Sequence, residues 1–172
     1  MIKSSNKQRS IIVIAHNLRS SHNVGSLFRT CEGLDINELI LSGYTPYPRS
    51  HNDNRLPHII SKLDAQIAKT ALDAQHSINW RHIEDLEVKI KHLRSSGYLI
   101  YGLEQNKSSV DILATKPSEK MVIILGNELD GLDKATLSLC DHLIEIPMLG
   151  SKESFNVVQA AAMALFYFRF IL

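Results

Sequence analysis

Three short segments of this chain combine small residues with polar side chains in patterns that suit ligand binding. The first, NVGSLFR at 23–29, sets an amide, a glycine and an arginine at fixed spacing. The second, GNELDGL at 126–132, sets two glycines around a carboxylate, and the third, IPMLG at 146–150, is followed by SFN at 154–156. Glycine lets another backbone or a phosphate approach closely, and arginine binds phosphate through two hydrogen bonds. These segments are therefore candidates for a site that handles an anionic substrate.

The first segment also opens a predicted helix. Apolar residues recur at helical spacing along one face, which gives the stripe Val24, Leu27, Phe28, Cys31 and Leu34. We expect Gly25, Ser26 and Arg29 on the opposite face, where the amides of a helix N-terminus would favour an anion. Taken alone, the segment fits a surface arginine beside a helix-start glycine equally well. The other two segments, taken alone, fit a plain strand-to-helix turn and a helix capped by Ser154.

Apolar runs and helical patterns alternate along the chain. The runs predict strands at 11–15, 38–41, 98–103, 121–125 and 143–146. The helical patterns predict helices near 24–34, 64–74, 83–95, 132–140 and 154–170. This rhythm indicates an α/β fold, with a mostly parallel sheet and helices on both faces. Residues 42–57 read as a long loop. The three segments each follow a strand, at the sheet edge where such folds bind ligands.

Composition narrows the class of protein. A length of 172 residues predicts one domain, 1–172, with 1–9 as a flexible basic N-terminus. Two distant cysteines and the absence of an H-x-x-x-H pair argue against disulfides and a metal site. We expect a cytoplasmic protein without a signal peptide or membrane span, because the longest uncharged stretch, 154–168, is too short. The chain also lacks the glycine-rich dinucleotide fingerprint, the P-loop and the G-x-S-x-G elbow.

Charge is distributed unevenly although the net charge is only +1. Residues 1–31 hold five basic side chains and no acid, and the stretch with Arg49, Arg55 and Lys62 holds Asp53 alone. Such asymmetry can give one surface that faces a polyanion, although a solvated terminus and loop would look the same. The RNA contacts predicted from it are Arg9, Arg19, Arg29, Arg49 and Arg55. We expect no DNA partner.

Together, the three segments resemble the three motifs of the SpoU (TrmH-like) family of the SPOUT superfamily. The pattern N-x-G-x-x-x-R is matched by Asn23, Gly25 and Arg29. The pattern G-N-E-x-x-G-L is matched by residues 126–132, and I-P-M-x-G by residues 146–150. In the S-L-N-V pattern that follows, Phe155 stands where the family has leucine, with Ser154, Asn156 and Val157 matching. The order and spacing agree from about residue 10 to the end of the chain.

The resemblance implies a fold, a reaction and a cofactor. It implies a trefoil knot near the C-terminus, which general rules of chain topology would have rejected, and a homodimer with the site near its interface. It implies transfer of a methyl group from S-adenosylmethionine to a ribose 2′-hydroxyl of a structured RNA, either tRNA or rRNA. The residues that would hold the cofactor are Leu103, Gly126, Ile146, Met148 and Phe155, with Ser154 close by.

The resemblance also assigns catalytic roles, which we adjust on physical grounds. The family's usual proposal makes Arg29 the base, but a guanidinium stays protonated in proteins. We expect Arg29 to bind a neighbouring phosphate and to stabilise the developing alkoxide, while a phosphate oxygen or water takes the proton. Asn23, Glu128 and Asn156 would orient these groups. Two alternatives stay open: a catalytically inactive RNA-binding module with this fold, and an α/β enzyme acting on a small molecule.

Overall fold

A computed structural model describes residues 9–51 and 53–171, and the predicted flexible N-terminus lies outside them except for Arg9. Within this part of the chain, seven parallel strands form one sheet in the order β3-β2-β1-β6-β4-β7-β5. The strands are β1 (Ser10–His16), β2 (Glu38–Ser42), β3 (Trp80–Ile83), β4 (Leu99–Leu103), β5 (Val110–Asp111), β6 (Lys120–Leu125) and β7 (His142–Glu145). The predicted mostly parallel α/β sheet is therefore confirmed.

Helices cover both faces of this sheet. They are α1 (Ser21–Gly33), α2 (Pro57–Ala71), α3 (Ala74–Ser77), α4 (Leu86–Ser95), α5 (Lys134–Ser138) and α6 (Val157–Phe170), with a 3-10 turn at Ile112–Ala114. Alternate residues of β1 feed two separate cores, because successive strand side chains point to opposite faces. Ile11 and Val13 pack with Phe28 and Phe168, whereas Ile12 and Ile14 pack on the other face with α4.

Several predicted helix boundaries differ from the structure by two residues or more, and three of the starts have a local explanation. The helix predicted from 83 begins at Leu86, because 80–83 pair with β2 as an edge strand whose half-buried, mixed residues lack an apolar run. The helix predicted from 64 begins at Pro57, because proline fits the first turn of a helix, where its missing N–H is not needed. The last helix begins at Val157 rather than Ser154.

The cap of α6 is Asn156, not the predicted Ser154. The Asn156 Oδ1 accepts a hydrogen bond from the backbone N–H of Val158 at 2.9 Å. Serine and asparagine cap helices about equally well, so residue type alone cannot choose between them. The shift lengthens the loop that follows β7 to 146–156 and places an asparagine of the third motif at the start of a helix.

The C-terminal end of α6 is hydrogen-bonded to the segments that precede β1 and β2. Arg169 donates hydrogen bonds to the carbonyl oxygens of Leu34, Asp35 and Arg9 at 3.1, 2.5 and 2.8 Å. The Arg9 guanidinium donates in return to the Phe168 carbonyl oxygen at 2.8 Å. These bonds satisfy backbone carbonyls at the ends of α1 and α6, so α6 is fixed at both ends. Within the described residues, no helix is long and apolar enough to cross a membrane.

Candidate active site

The carboxylate of Glu128 joins the first and second motifs. Because the strands are parallel, the loops after β1 and β6 leave the same edge of the sheet, where Ala15 pairs with Leu125. One Glu128 oxygen accepts the backbone N–H of Arg19 at 2.9 Å. The other accepts the backbone N–H of Ser20 at 3.0 Å and the side-chain amide of Asn23 at 2.9 Å. An anion thus lies just before α1, as predicted, but it is the protein's own carboxylate.

This environment keeps Glu128 ionised. Burial on its own would raise the pKa of the Glu128 carboxyl, but hydrogen bonds from Arg19, Asn23 and Ser20 outweigh burial and hold that pKa below its ordinary value. A carboxylate with a lowered pKa is a poor proton acceptor at neutral pH. Glu128 is therefore suited to fixing the geometry of the first motif rather than to acid–base chemistry.

Asn156 brings the third motif to the same cluster. Its Nδ2 donates to the Asn23 Oδ1 at 3.3 Å while its Oδ1 caps α6. Asn23 is itself held at the start of α1, where its backbone N–H donates to the Ser20 side chain. Asn23, Glu128 and Asn156, which lie far apart in the sequence, thus form one hydrogen-bonded amide–carboxylate cluster.

The glycines of the second motif shape a tight turn beside this cluster. Asn127 and Gly131 exchange two backbone hydrogen bonds of 3.0 Å each. A Cβ on Gly126 would overlap the Gly131 carbonyl group and the Leu132 backbone nitrogen. Gly131 has a φ of +66°, a conformation that side chains disfavour. The turn therefore requires glycine at both positions.

Two polar residues hold this turn in place: Asn127, which the second motif contains but to which no role was assigned, and Glu104, which lies outside the motifs. The buried Asn127 accepts the backbone N–H groups of Leu129 and Asp130 on its Oδ1. Its Nδ2 donates to the Asn17 carbonyl oxygen at 3.0 Å and to the Tyr44 hydroxyl at 2.8 Å. Glu104 accepts the Leu132 backbone N–H at 2.7 Å. Their positions, directly after β6 and β4, were the available signal.

A cavity of about 290 Å³ opens beside the amide–carboxylate cluster, between the loops that follow β4, β6 and β7. Five of the six residues predicted to hold a cofactor line this cavity. They are Leu103, Gly126, Ile146, Ser154 and Phe155. Met148 is not among its lining residues, and it lies further along the same loop as Ile146. Leu103, Ile146 and Phe155 form part of an apolar wall that also includes Leu125, Leu129, Val157 and Ala160.

The cavity is acidic, which restricts the ligands that it can take. Its carboxylates are Glu104, Glu128, Asp130, Glu145 and Glu153, and no described residue that lines it is basic. A phosphate-bearing cofactor would be disfavoured, because its negative charge and these carboxylates repel each other. S-adenosylmethionine carries a sulfonium and an ammonium against one carboxylate. Its net positive charge suits the carboxylates of the cavity, and the flat face of its adenine ring can pack on the apolar part of the wall.

Arg29 lies elsewhere in the monomer. Its side chain is exposed and lines a second, open concavity of about 540 Å³ between α1, α2 and α6. The other walls of this concavity include Ser26, Thr70, Ala162 and Phe166. Within one chain, the structure therefore groups Asn23, Glu128 and Asn156 but leaves Arg29 outside the acidic cavity.

Gly25 was predicted to lie on the exposed face of α1 beside Arg29, and this prediction is wrong. It is buried between α1 and α2, where a Cβ would overlap the Thr70 hydroxyl and the Ile67 carbonyl oxygen. The Thr70 hydroxyl donates to the His22 carbonyl oxygen at 2.9 Å across the same contact. Gly25 thus permits close approach of a backbone, as expected of glycine, but the backbone belongs to α2 rather than to a ligand.

The predicted RNA-contact arginines differ in their surroundings. Arg19 and Arg49 are exposed, and Arg19 directly precedes the amide–carboxylate cluster. Arg55 instead pairs with Asp53 at 2.5 Å and lies 3.4 Å from the centre of the Tyr47 ring. Its guanidinium holds the pKa of Asp53 well below the ordinary range. Arg9 lies at the start of β1, at the opposite edge of the sheet from the cluster.

A parallel α/β sheet with a cavity at the carboxyl edge of its strands is typical of the α/β folds that bind ligands at this edge. Residues 10–166 match the model of the SpoU rRNA Methylase family. The chain belongs to this family.

Individual relatives agree with that assignment. The 23S rRNA (guanosine-2'-O-)-methyltransferase RlmB of Neisseria meningitidis is 26% identical over 155 residues, covering 90% of this chain and 56% of the relative. The tRNA (guanosine(18)-2'-O)-methyltransferase of Aquifex aeolicus is 27% identical over 163 residues, covering 93% of this chain and 69% of the relative. An AdoMet-bound rRNA methyltransferase from Sinorhizobium meliloti superposes with a TM-score of 0.80 at 22% identity, covering 94% of this chain and 56% of that one. This chain thus spans about half the length of several of these relatives.

Proposed function

We propose that this protein transfers a methyl group from S-adenosylmethionine to a ribose 2′-hydroxyl of tRNA or rRNA. The observation that carries the proposal is the meeting of Asn23, Glu128 and Asn156 beside an acidic cavity. S-adenosylmethionine, when bound, supplies an electrophilic methyl group on sulfur. Leu103, Gly126 and Ile146 would hold it, with Ser154, Phe155 and the nearby Met148. Membership of the SpoU family and two relatives named as RNA 2'-O-methyltransferases support the same reaction.

In the mechanism we propose, the chain positions the ribose rather than deprotonating it directly. The ionised Glu128 holds Asn23, and Asn23 aligns Asn156, so two amide groups are kept in fixed orientation next to Glu128, which lines the cavity. Arg29 binds the phosphate beside the target ribose and stabilises negative charge on the attacking oxygen. A phosphate oxygen or a water molecule accepts the hydroxyl proton, since neither a guanidinium nor a carboxylate with a lowered pKa is a good base.

We further propose a homodimer in which Arg29 acts beside the acidic cavity of the partner. Met163, Phe166 and Phe170 recur at helical spacing and form an exposed apolar stripe on α6. Phe166 and Arg29 line the same open concavity. Exposed apolar rings of this kind mark interaction surfaces. Pairing two such surfaces would bury the rings and carry the guanidinium towards a second chain.

We also propose the trefoil knot, a single catalytic domain and a cytoplasmic location. The sheet order supports the knot, because β4 lies between β6 and β7 while β5 lies beyond β7. The segment 104–119 must therefore cross β7 and return to β6, and the segment 126–141 must cross β4. What is rare in chains without knots is that two connections cross one another at the same edge of a sheet, and these two both pass over the region of β4 and β7. A cytoplasmic location follows from the RNA substrates.

The substrate would be docked by exposed arginines around the cluster. Arg19 and Arg49 are the best placed of the predicted contacts, with Arg29 at the reacting nucleotide. We assign weaker contributions to Arg9, at the far edge of the sheet, and to Arg55, which is held by Asp53. An inactive RNA-binding module is the alternative function, but the assembled cluster and cavity favour an active enzyme.

The test follows the transfer of a labelled methyl group. Purified protein is incubated with labelled S-adenosylmethionine and with the small and large RNA fractions from a strain lacking the gene. We expect label in one fraction, at a single 2′-O-methylated nucleotide. Calorimetry with the cofactor separates an enzyme from an inactive module, because the module would bind it weakly or not at all.

Arg29→Ala and Arg29→Lys then test the role of the guanidinium, with methylation and RNA binding measured separately. We expect Arg29→Ala to lower turnover by about 100-fold or more, as the loss of one charge-stabilising donor does in other enzymes. Arg29→Lys should recover only part of this, because lysine lacks the planar fork. Near-native turnover in Arg29→Ala would refute both proposed roles for this residue.

A further inference from the structure

The ring of Tyr44 is exposed at the edge of the sheet where RNA must approach. Tyr44 follows β2 by two residues, and 61% of its surface is accessible. Tyrosine rings are large enough that proteins normally cover most of their apolar area. An exposed ring at this edge, close to the amide–carboxylate cluster, therefore suggests a role in binding a ligand.

The exposed ring is nevertheless firmly held. Its hydroxyl accepts a hydrogen bond from the Asn127 Nδ2 at 2.8 Å, and its backbone N–H donates to the Asn17 Oδ1 at 3.2 Å. The preceding Gly43 has a φ of +64°, and a Cβ there would overlap the Asn17 side chain. Tyr44 is thus held by hydrogen bonds at its hydroxyl and at its backbone.

The anchors connect Tyr44 directly to the walls of the proposed active site. Asn127 lies between Gly126 and Glu128, and it lines the acidic cavity. On the other side, the Thr45 hydroxyl accepts the Leu18 N–H at 3.0 Å and donates to the Ala15 carbonyl oxygen at 3.0 Å. Leu18 immediately precedes Arg19, whose N–H binds Glu128. Tyr44 is therefore positioned by the same two loops that build the cluster.

The neighbouring Tyr47 shows what a structural tyrosine looks like in this loop. His82 stacks on its ring with centroids 4.1 Å apart, and the Arg55 guanidinium lies 3.4 Å from the ring centre. Both partners are too close to share one face, so the Tyr47 ring is covered on both sides. Over residues 9–51 and 53–171, by contrast, neither an aromatic ring nor a cation contacts the Tyr44 ring in this way.

We propose that Tyr44 is a stacking platform for a nucleobase of the substrate RNA, at or next to the methylated nucleotide. This inference rests on the proposed function. Proteins that recognise single-stranded RNA stack its unpaired bases on aromatic side chains. A ring whose hydroxyl is already bound to the protein offers its faces to a base and loses little conformational freedom on binding. Tyr44 thus positions the RNA, while the amide–carboxylate cluster acts on the ribose.

The test compares Tyr44→Leu, Tyr44→Phe and Tyr44→Trp with the natural protein. Leucine keeps an apolar side chain without a π-face, phenylalanine removes only the bond to Asn127, and tryptophan restores a larger ring. KM for RNA, kcat, the Kd for S-adenosylmethionine and the oligomeric state are measured for each. Leu113→Ala is the control, because Leu113 is as exposed (66%) and lies in a 3-10 turn away from the cluster.

We expect Tyr44→Leu to raise KM for RNA by about ten-fold or more, the scale of losing one stacked base. Its kcat at saturating RNA and its cofactor Kd should stay near native values. Tyr44→Phe should be intermediate, Tyr44→Trp should recover most of the loss, and Leu113→Ala should change nothing. A native KM in Tyr44→Leu, a cofactor Kd that changes in step with KM, or dissociation of a dimer would each overturn the inference.

Failure of the proposed function gives a different result. If the natural protein transfers no methyl group to either RNA fraction, the proposed reaction is wrong, whatever Tyr44 does. Filter binding of the same RNA to the natural protein and to Tyr44→Leu then decides the stacking role alone. Equal affinities would refute it, and a ten-fold weaker variant would support it.

Discussion

The acidic cavity and the concavity lined by Arg29 are built in opposite ways. The cavity is enclosed by loops that share hydrogen bonds: Glu128 binds the first motif, Asn127 binds its own turn, and Glu104 binds the Leu132 backbone. The concavity is open, and it combines an exposed guanidinium with the exposed ring of Phe166. The polar groups of the first region are partnered within one chain, whereas the second region exposes a guanidinium and an apolar ring.

In the proposed enzyme, this difference separates binding of the cofactor from delivery of the RNA. Polar groups that already have partners make a rigid site, which can hold a small cation in a fixed orientation. Exposed apolar rings beside a cation instead suit a surface that is completed on association. We therefore expect substitutions in the two regions to fail differently, with cofactor affinity sensitive to the first and oligomeric state to the second.

Of the substitutions that compare the two regions, Gly126→Ala is expected to have the largest effect, and it changes cofactor affinity through the wall of the acidic cavity alone. The added Cβ would overlap the Gly131 carbonyl group, so the turn must open and the cavity wall must move. Overpacking of this kind costs about 1–3 kcal/mol, and we expect cofactor affinity to fall by about 100-fold, since each 1.4 kcal/mol is ten-fold. Calorimetric titration with S-adenosylmethionine measures it.

Gly33→Ala is the matched control for this prediction. Gly33 ends α1, does not line the acidic cavity, and a Cβ there would meet no atom within 4 Å. Its affinity should equal that of the natural protein. If Gly126→Ala also binds the cofactor normally, the rigid turn is not needed and the contrast between the two regions loses its basis.

Phe166→Asp should produce the next largest effect, in the other region. Half of the Phe166 surface is exposed on α6, and a carboxylate there would put charge into the proposed dimer contact. We expect the dissociation constant of the dimer to rise by about ten-fold or more, where ten-fold corresponds to about 1.4 kcal/mol. The rate of methyl transfer should fall as the dimer dissociates. Sedimentation velocity measures the assembly, and calorimetry should show nearly unchanged cofactor affinity.

Val88→Asp makes the same kind of change on an unrelated surface. Val88 is 61% exposed on α4, on the other face of the sheet from α6. This variant should sediment and methylate like the natural protein. A monomeric natural protein with full activity, or an active monomeric Phe166→Asp, would show that Arg29 works without a partner chain.

The strands of this fold could be predicted from the sequence, but several boundaries could not. Continuous apolar runs identified β1, β2, β4, β6 and β7 to within one residue at each end. In β1, β2, β4 and β6 the central residues are buried on both faces, whereas β7 is buried only at Ile144. The edge strand β3, with the sequence WRHI, is only half buried and so carries no such run. The two-residue β5 is too short to give any pattern.

The candidate site shows the same division. Its residues were identified by type, motif and resemblance, and Asn23, Glu128 and Asn156 do meet. The side on which Gly25 lies could not be predicted, because it depends on how α2 crosses α1. The hydrogen bonds of the Asn127 side chain could not be predicted either, because its partners Asn17 and Tyr44 belong to two other loops. Local periodicity describes an element, whereas these contacts depend on the arrangement of several elements.

The smallest expected effect is a pH dependence of folding stability that arises from His16, which is hydrogen-bonded to a loop beside the acidic cavity. His16 Nδ1 lies 2.8 Å from the Ser42 hydroxyl, and its Nε2 lies 3.0 Å from the Nδ2 of Asn17, which also holds Tyr44. Burial lowers the pKa of His16, and nearby Asp133 opposes this only in part. The folded protein therefore binds the proton more weakly than the unfolded chain. The stabilising contribution of neutral His16 is complete above the ordinary histidine pKa of about 6.5 and is lost as pH falls below it.

We expect the Tm of the natural protein to fall by a few degrees more than that of His16→Gln between about pH 7 and pH 5. His92→Gln, a change of an exposed histidine on α4, should keep the natural slope. Cofactor affinity should weaken over the same range in the natural protein, because a charged ring can no longer accept the Asn17 amide hydrogen and the anchor of the Asn127 turn loosens. Parallel Tm profiles for the natural protein and His16→Gln would remove His16 from this network. The rigidity of the acidic cavity would then depend on Glu128, Asn127 and Glu104 alone.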